Sequence, residues 1–588
     1  MSNNQIIEFD AKLKQSNQQA NSVRCEYAGG RFELTKKGTF YFGKDKDSND
    51  LAPRWICSPL YVIAKTRDAH NGEWGRLLEW KDDDDITHQW AMPLAMLQGD
   101  SSEVRRELVR LGLTISPSRA ARDLLTSYVQ VFPIEARARC VDKLGWHGDV
   151  FVTGALSIGH SKEKIVFQNI NAIEPAFSSL GSVTQWKDSI GQLARGNSRL
   201  VFAIASAFAP SLAKFSGEDS GGFHFRGASS SGKSTALKVA ASVWGNPKSY
   251  CRLWRATSNG LEGLAALHND GLLILDELSQ IDPREAGAAA YLLANGQGKN
   301  RASKLGTIKA SSCWSLLFLS AGEESLSTLM TRAGQRTNAG QEIRLADIEA
   351  DAGCGMGLFE TIHNQLSPAS MALALNKYAS QYYGAVGIEW LHQVVANQQR
   401  IARFIADTTQ TFIDKVITKV ASGQSIRVAR RFALVGAAGE LASSFGLTGW
   451  EESESLQAAQ RCFSAWLDAF GSDGNREERA IKAQVRSFFE LHGASRFDNA
   501  RSPNNEKVVN RAGFYQTDEQ GFRRYMVLTE VYKNELCQGL DQRTVTKTLL
   551  LCGWLKAASD GKASHKPRIK GIGTPRLYVF TDKIWGEE

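Results

Sequence analysis

Two hydrophobic periods divide the chain. Apolar and polar residues alternate over Phe32–Phe42 and Leu60–Arg67, the period of two expected of half-buried strands. Lys81–Asp85 (KDDDD) reads as a turn, and Ser101–Leu111 as a helix with Ser101 as N-cap and Gly112 as its stop. From residue 181 the pattern changes. An Ala-rich helical stretch, Trp186–Phe215, precedes a short apolar strand, Gly222–Arg226, and a Gly/Ser loop. Apolar strands and helices then alternate, which predicts an α/β layered domain around a parallel sheet. Beyond residue 355 the period becomes 3.6, and Ala372–Tyr383, Trp390–Ala421 and Val428–Phe445 read as helices. The resulting organisation is a polar lead-in over 1–30, an α+β N-terminal domain over 31–180, an α/β core over 181–350, a helical lid over 351–470 and a mixed C-terminal segment over 475–588. No internal repeat or long low-complexity run interrupts it.

Composition narrows the class. Of 588 residues, 43% are hydrophobic and 22% charged, which excludes a wholly disordered, collagen-like or coiled-coil chain. A chain of this length predicts about three to five domains. Its cores can be large enough to need no disulfide or metal staple. The longest mainly apolar stretch, Leu200–Ala213, is too short for a membrane span and contains Pro210. The first twenty residues carry no apolar signal segment. The nine cysteines are scattered without C-x-x-C spacing, so a zinc ribbon is not supported, and the odd count fits a reducing cytoplasm. The formal net charge of +8 permits a polyanionic partner, and the clustering of that charge matters more than its sum.

The sharpest chemistry is in Gly227-Ala-Ser-Ser-Ser-Gly232-Lys233-Ser234, which matches G-x-x-x-x-G-K-[ST] at every fixed position. Backbone N–H groups of such a loop, from Gly227 through Ser230, Ser231 and Gly232 to Thr235, form a nest for phosphate oxygens. The helix expected over Lys233–Trp244 directs its positive end at the same place. Lys233 is expected to reach the β and γ oxygens of ATP, and Ser234 to hold Mg²⁺.

A second cluster follows about forty residues later. Leu272-Leu-Ile-Leu reads as a buried central strand, and Asp276 and Glu277 end it at the sheet's carboxyl edge, where ligands bind in open α/β sheets. Asp276 suits an outer contact to Mg²⁺ and Glu277 suits activation of the attacking water. A third strand, Trp314–Leu319, ends in Ser320. In additional-strand ATPases such a strand lies between the two motif strands, and its terminal polar residue contacts the γ-phosphate or the water. Arg344, at the start of the strand-like run Ile343–Ile348, stands where an arginine finger would reach a neighbouring subunit's nucleotide, with Arg332 and Arg336 as competitors. One of Arg427, Arg430 and Arg431 is a candidate second sensor, and Arg431 is taken as a nucleotide contact.

Two features point to DNA. Gly296–Lys309 carries Lys299, Arg301, Lys304 and Lys309 with no acidic residue, in a pattern that reads as a hairpin or loop. In ring helicases an insertion at this position grips single-stranded DNA phosphates electrostatically. At the C-terminus, Thr529–Leu536 and Asp541–Cys552 resemble a helix-turn-helix with Asp541 as N-cap, and Arg576–Phe580 reads as the strand of a wing. Lys556–Lys583 holds seven basic and two acidic residues, so residues 541–576 are a candidate duplex contact.

Taken together, the chain resembles the P-loop family labelled domain of unknown function 927. The resemblance spans roughly residues 30–450 through Gly145-Trp146-His147, Gly227–Thr235, Trp254-Arg255-Ala-Thr257, Leu275-Asp276-Glu277-Leu278, Tyr291-Leu-Leu-Ala-Asn295-Gly296, Leu319-Ser320-Ala-Gly322-Glu323, Gly340-Gln341-Glu-Ile-Arg344 and Arg431-Phe432-Ala433. Ala321 replaces the threonine frequent in the family's sensor loop. Members sit in prophages and mobile elements, near primases, and some look like self-loading hexameric helicases of the AAA+ class. The resemblance implies an α/β P-loop NTPase with an AAA+-like parallel sheet and helical lid, flanked by an α+β N-terminal domain and a C-terminal winged-helix-like domain. It implies a homo-hexameric, ATP- and Mg²⁺-dependent DNA helicase, with a primase as a partner and no membrane. The residues alone leave two other readings open: a nucleotide-switched scaffold or defence ATPase, and an origin-binding replication initiator. Gly145-Trp146-His147 receives no chemical role, and His147 reads as part of a packed turn.

Overall fold

The computed structural model describes residues 23–47, 49–154, 156–168, 176–299, 301–302, 308–309, 311–335, 339–417, 423–470, 476–501, 508–517, 523–559 and 561–586. Most of the 1–30 lead-in, with Lys304 and Arg336, lies outside them. The chain divides into two compact units, Met1–Thr418 with Ser425–Ala469, and Lys419–Gln424 with Phe470–Glu588.

The first unit begins with an antiparallel meander, Val23–Tyr27, Gly30–Thr35, Gly38–Phe42 and Arg54–Cys57. The run expected as one strand over Phe32–Phe42 is therefore two, folded back at Lys36 and Lys37. A five-stranded sheet follows, in the order Lys164–Phe167, Arg137–Val141, Leu60–Arg67, Gly75–Lys81, Thr87–Pro93. Alternation across the meander and this sheet buries Phe32, Leu60, Leu78 and Trp80 against helix Arg119–Val131, which contributes Leu125 and Tyr128. The helix Ser102–Arg110 is capped from outside the expected position. Ser101 is left-handed and makes no side-chain cap, and Asp100 Oδ1 accepts from Ser102 N at 2.9 Å instead.

The sheet that carries the motifs comprises β1 (Gly221–Arg226), β2 (Arg252–Leu253), β3 (Leu272–Asp276), β4 (Leu317–Gly322) and β5 (Leu345–Glu349). All its pairings are parallel, in the order β2-β3-β4-β1-β5. β4 thus lies between the two motif strands. Leu272 to Leu275 are each 0% exposed, as an unbroken apolar strand covered on both faces requires. One face packs on α2 (Ser258–Ala266), α3 (Pro283–Asn295) and α4 (Leu326–Arg332), with Trp254, Leu273, Leu275 and Phe318 in the shared core. The opposite side packs on α1 (Lys233–Ala241) and the fully buried helix Ser198–Phe208.

The region after the sheet is helical. The stretch expected as one helix over Trp390–Ala421 is two, Ala385–Ala396 and Gln398–Val416, broken at Asn397 with φ −121°. The next helix, α5 (Gly423–Ser444), buries most of its length. Among the described residues no helix is long and apolar enough to cross a membrane.

The second unit is α+β. Its sheet runs Phe497–Asn499, Gly513–Thr517, Arg523–Leu528, Leu577–Val579, Ser564–His565. Helix Gln542–Leu551 is capped by Asp541, whose Oδ2 accepts from Thr544 N at 2.8 Å. Val545 and Leu549 of this helix, with Tyr532, Leu536, Trp554 and Phe580, form the core.

Candidate functional site

β1 delivers the chain to the loop at residues 227–232, and α1 leaves it at Lys233. Gly232 has φ +93°, a conformation in which a side chain is strained. The loop is pinned on both sides. Gly227 N donates to the Gly322 carbonyl at 3.2 Å, and Leu358 N donates to the Ser231 carbonyl at 2.9 Å. Ala228, Ser229 and Ser230 are exposed, while Ser231 and Gly232 are partly covered. The first N–H groups of α1 lack intrahelical partners and face the loop's concavity. Lys233 folds back over that concavity, its Nζ 2.8 Å from the Gly227 carbonyl and 2.7 Å from that of Ala228. Its other partner is the Ser231 hydroxyl at 3.4 Å, and an ammonium held by neutral oxygens is ready to exchange them for phosphate oxygens. Thr235 is buried one turn further in, and its hydroxyl accepts from Asn376 Nδ2 at 3.4 Å.

β3 brings the carboxylates to the same edge. Ser234 stands beside the Asp276 carboxylate. Burial pushes Asp276 above the usual carboxylate range, and the neighbouring Ser234 hydroxyl and the Glu277 N–H work against that rise. Glu277 N donates to Asp276 Oδ1 at 2.9 Å, and Glu277 itself is left-handed at φ +57°. Its carboxylate accepts from Ser279 Oγ at 2.5 Å. An adjacent hydroxyl and carboxylate match how Mg²⁺ is usually held, by one or two protein oxygens with the remaining positions taken by phosphate and water. The residues present therefore fit that ion.

Two arginines depart from their expected places. Arg431 is fully buried, and its guanidinium packs against Gly221 at the start of β1. Six residue steps of strand separate Gly221 from Gly227, roughly 20 Å. Arg431 therefore cannot contact a phosphate in its own loop, and its assignment as a nucleotide contact is corrected. It donates to the Ile343 carbonyl at 3.1 Å, its Nε is without a partner, and burial pushes its pKa down to about 10. Arg344 lies just before β5 rather than within it, stacked 4.2 Å over the Tyr291 ring and bonded to Asn295 and the Gly340 carbonyl. Both arginines, with Arg427, Glu218 and Asp219, line a polar cavity of about 280 Å³ at the amino edge of the sheet. Arg430 is bound to Glu218 at 2.6 Å, and Arg332 to Glu324 at 2.7 Å.

Ser320 is corrected as well. Its residue is 0% exposed, and its oxygen lies 2.9 Å from His224 Nδ1 and 2.8 Å from Trp254 Nε1. The hydroxyl expected to meet a phosphate is spent inside the sheet. The residue at the open edge is Glu323, next to the Gly322 carbonyl that pins the loop.

Two features have no counterpart in the expectations, and a third has no role among them. Arg226 ends β1 in ion pairs with Asp347 at 2.9 Å and Glu349 at 2.6 Å, tying β1 to β5 directly beneath the loop. Gly353, Gly355 and Gly357 are all left-handed and form a second glycine loop seated on Ser231. The G-x-G-x-G spacing was the available signal. Gly145-Trp146-His147 now has a role. Trp146 N donates to Asp270 Oδ2 at 2.9 Å, its indole donates to the Ser211 carbonyl at 2.8 Å, and Lys214 Nζ stacks 4.4 Å from its ring. His147 bonds only the Lys143 carbonyl, at 2.9 Å, as a packed turn would. The motif joins the N-terminal region to the turn that opens β3.

The basic segment leaves α3 through Gly296–Gly298, which pairs with Ser312–Trp314. Arg301–Ala302 and Ile308–Lys309 form an antiparallel ladder. Lys299 is exposed, its Nζ 3.3 Å from Ser258 Oγ. The side chain of Arg301 and all of Lys304 lie outside the described residues.

Residues 32–313 match the family model described as a domain of unknown function, DUF927. The match bears out the resemblance drawn from the motifs up to residue 313. It stops short of the Ser320, Arg344 and Arg431 segments. No curated protein matches the chain. Among solved structures, one described as SCCmec type IV Cch, an active helicase, is similar at a TM-score of 0.70 and 17% identity, covering 96% of this chain and 100% of that one. At that identity the likeness shows the fold alone, α/β around a parallel sheet. A second, NtrX from Brucella abortus in complex with ATP, is 11% identical and covers 58% of this chain and 92% of that one, with a TM-score of 0.15, too low to carry an argument.

Proposed function

We propose that the chain is an ATP-dependent DNA translocase or helicase of a mobile element, working as a ring. The observation that carries this reading is the meeting of three groups at one sheet edge: the Lys233 ammonium over its loop, the Ser234 hydroxyl and the Asp276 carboxylate. The fold shared over nearly the whole chain with a structure described as an active helicase supports it.

In this reading Lys233 leaves its loop carbonyls for the β- and γ-phosphates, and the loop N–H groups with the start of α1 hold the rest. Mg²⁺, when bound at Ser234 and Asp276, supplies charge neutralisation of the phosphates. Glu277 accepts the proton of the attacking water, and Ser279 keeps its carboxylate oriented. Arg344 is carried to a neighbouring copy's nucleotide. Its place at the amino edge, far from its own loop, supports action in trans rather than in cis. Lys299, with Arg301 and Lys304, follows a single strand of DNA, while residues 541–576 are a duplex contact. The four-part organisation of lead-in, N-terminal domain, core with lid and winged-helix-like domain belongs to the same proposal.

Strand displacement on a forked duplex, with Lys233→Ala as control, tests it. Displacement that needs ATP and Lys233 supports the helicase. ATP hydrolysis without displacement or DNA stimulation favours the nucleotide-switched scaffold. Binding that prefers one duplex sequence over random competitor favours an initiator.

A further inference from the structure

His224 is buried in β1, 1% exposed, beside Ser320 on β4. Its Nε2 lies 3.0 Å from the Glu324 carbonyl, which can only accept, so Nε2 carries the proton and Nδ1 is bare. Ser320 Oγ, 2.9 Å from Nδ1, must then donate to it, and accepts in turn from Trp254 Nε1 at 2.8 Å. The donors run one way, from Trp254 through Ser320 and His224 to the Glu324 carbonyl. Ser320 and Trp254 are each 0% exposed, so water does not substitute for any member.

Both ends of this relay touch the nucleotide edge. Trp254 N donates to the Asp276 carbonyl at 3.2 Å. At the other end, Glu324 stands two residues after Gly322, whose carbonyl holds Gly227. The His224 ring also fills the space beneath this turn, since a Cβ at Gly322 would lie 3.1 Å from His224 Cε1 and 3.2 Å from Leu278 Cβ. Burial drives the imidazole pKa down to about 4, with Arg226 and Lys233 adding to the effect, so the ring is neutral near pH 7.

We propose that His224 is a positioning residue: its Nε2–H fixes the Glu323–Ser325 turn against the phosphate loop, and the Trp254–Ser320 pair sets the tautomer that allows it. The turn holds Gly227 through Gly322 and presents Glu323 at the open edge. A turn released from His224 leaves the loop intact but poorly registered for the transition state, whose geometry must be held within a fraction of an ångström. The catalytic consequence rests on the nucleotide-hydrolysing function proposed above, whereas the structural consequence does not.

The two ring nitrogens can be tested separately in the full chain. Asparagine reproduces the acceptor at Nδ1 but does not reach Glu324, whereas glutamine reaches the donor position of Nε2. Amide hydrogen exchange over residues 322–328 and steady-state hydrolysis of MgATP are measured for His224→Asn and His224→Gln. The expectation for His224→Asn is exchange faster by about tenfold in that segment alone. Its kcat should fall by about tenfold with KM for ATP within about twofold. His224→Gln is expected to restore both to within about threefold. If the two variants behave alike, or His224→Asn leaves exchange over the turn unchanged, the proposal is overturned. Should His224→Asn fail to fold, Ser320→Ala, which frees the tautomer, is expected to raise exchange over the same segment, and unchanged exchange there overturns the proposal. If the wild type hydrolyses no ATP, the exchange pattern still decides the role of His224 while the nucleotide function falls.

Discussion

Ser234, in the first turn of α1, stands beside the Asp276 carboxylate at the end of β3 and works against the rise in its pKa that burial causes. The two residues are forty-two positions apart, and only the strand order brings them to one edge. The contact makes separable predictions. Ser234→Ala and Asp276→Asn are each expected to lower magnesium-dependent hydrolysis of ATP by about a hundredfold, since each removes an oxygen suited to the ion. Glu277→Gln is expected to bind nucleotide within about threefold of the wild type while losing hydrolysis to a similar degree. Equilibrium binding of a fluorescent ATP analogue beside phosphate release distinguishes the two patterns.

Gly145 stands at φ +89°, and a Cβ there would overlap the Asp270 carboxylate. Gly145→Ala is therefore expected to cost about 2–4 kcal/mol through strain and the displaced hydrogen bond to Trp146. Asp270→Ala, which leaves the Trp146 N–H without that partner, is expected to cost about 1–3 kcal/mol. Denaturant melts of the two single variants and the double variant check this, and the double should cost less than the sum because both act on one contact.

Acid should weaken the fold through two histidines. Burial pushes His224 and His268 each from 6.5 down to about 4. Between those values the unfolded chain binds the proton and the folded chain does not. Their contribution is therefore complete above about pH 6.5 and is lost as pH falls towards 4. Asp270 opposes this, because burial raises it from 3.8 to about 6, so the folded chain takes its proton first and gains stability as pH falls through that window. Two groups against one leave a net loss of roughly 1 kcal/mol per pH unit near pH 5 from these three. Urea midpoints at pH 7 and pH 5 measure it, and His224→Gln is expected to show a visibly smaller fall than the wild type.

Arg431 carries a buried charge with an unpartnered Nε and lies at the edge away from the loop. Arg431→Met is expected to leave affinity for ATP within about twofold and to change stability by no more than about 2 kcal/mol, because removing a poorly compensated buried charge offsets the lost contacts. Isothermal titration and a thermal melt check both. A large loss of ATP affinity would restore this arginine to the nucleotide site.

Much of the site was legible because its geometry is local. The Gly227–Ser234 loop needs glycines at fixed steps and a helix directly after, and Leu272–Asp276 announces a central strand by having no polar residue before the carboxylate. The parallel sheet followed from alternation of strand and helix. What misled were side chains whose meaning depends on register. Ser320 ends an apolar run, but its partners are His224 on β1 and Trp254 just past β2, and only the lateral order of the strands buries its hydroxyl. Arg344 stands just before β5 and Arg431 inside α5, and which edge of the sheet they occupy is set by strand direction rather than by spacing. Gly145-Trp146 was opaque for the same reason, since its partner Asp270 lies 124 residues beyond Trp146. Asn397 broke a helix without the glycine or proline that marks such breaks in sequence.

Phosphate release from MgATP by the full chain, with and without single-stranded DNA and beside Lys233→Ala, decides whether this site hydrolyses nucleotide in response to DNA. The prediction is hydrolysis that DNA stimulates by about threefold or more and that Lys233→Ala abolishes. No hydrolysis under either condition, or hydrolysis indifferent to Lys233, would contradict it.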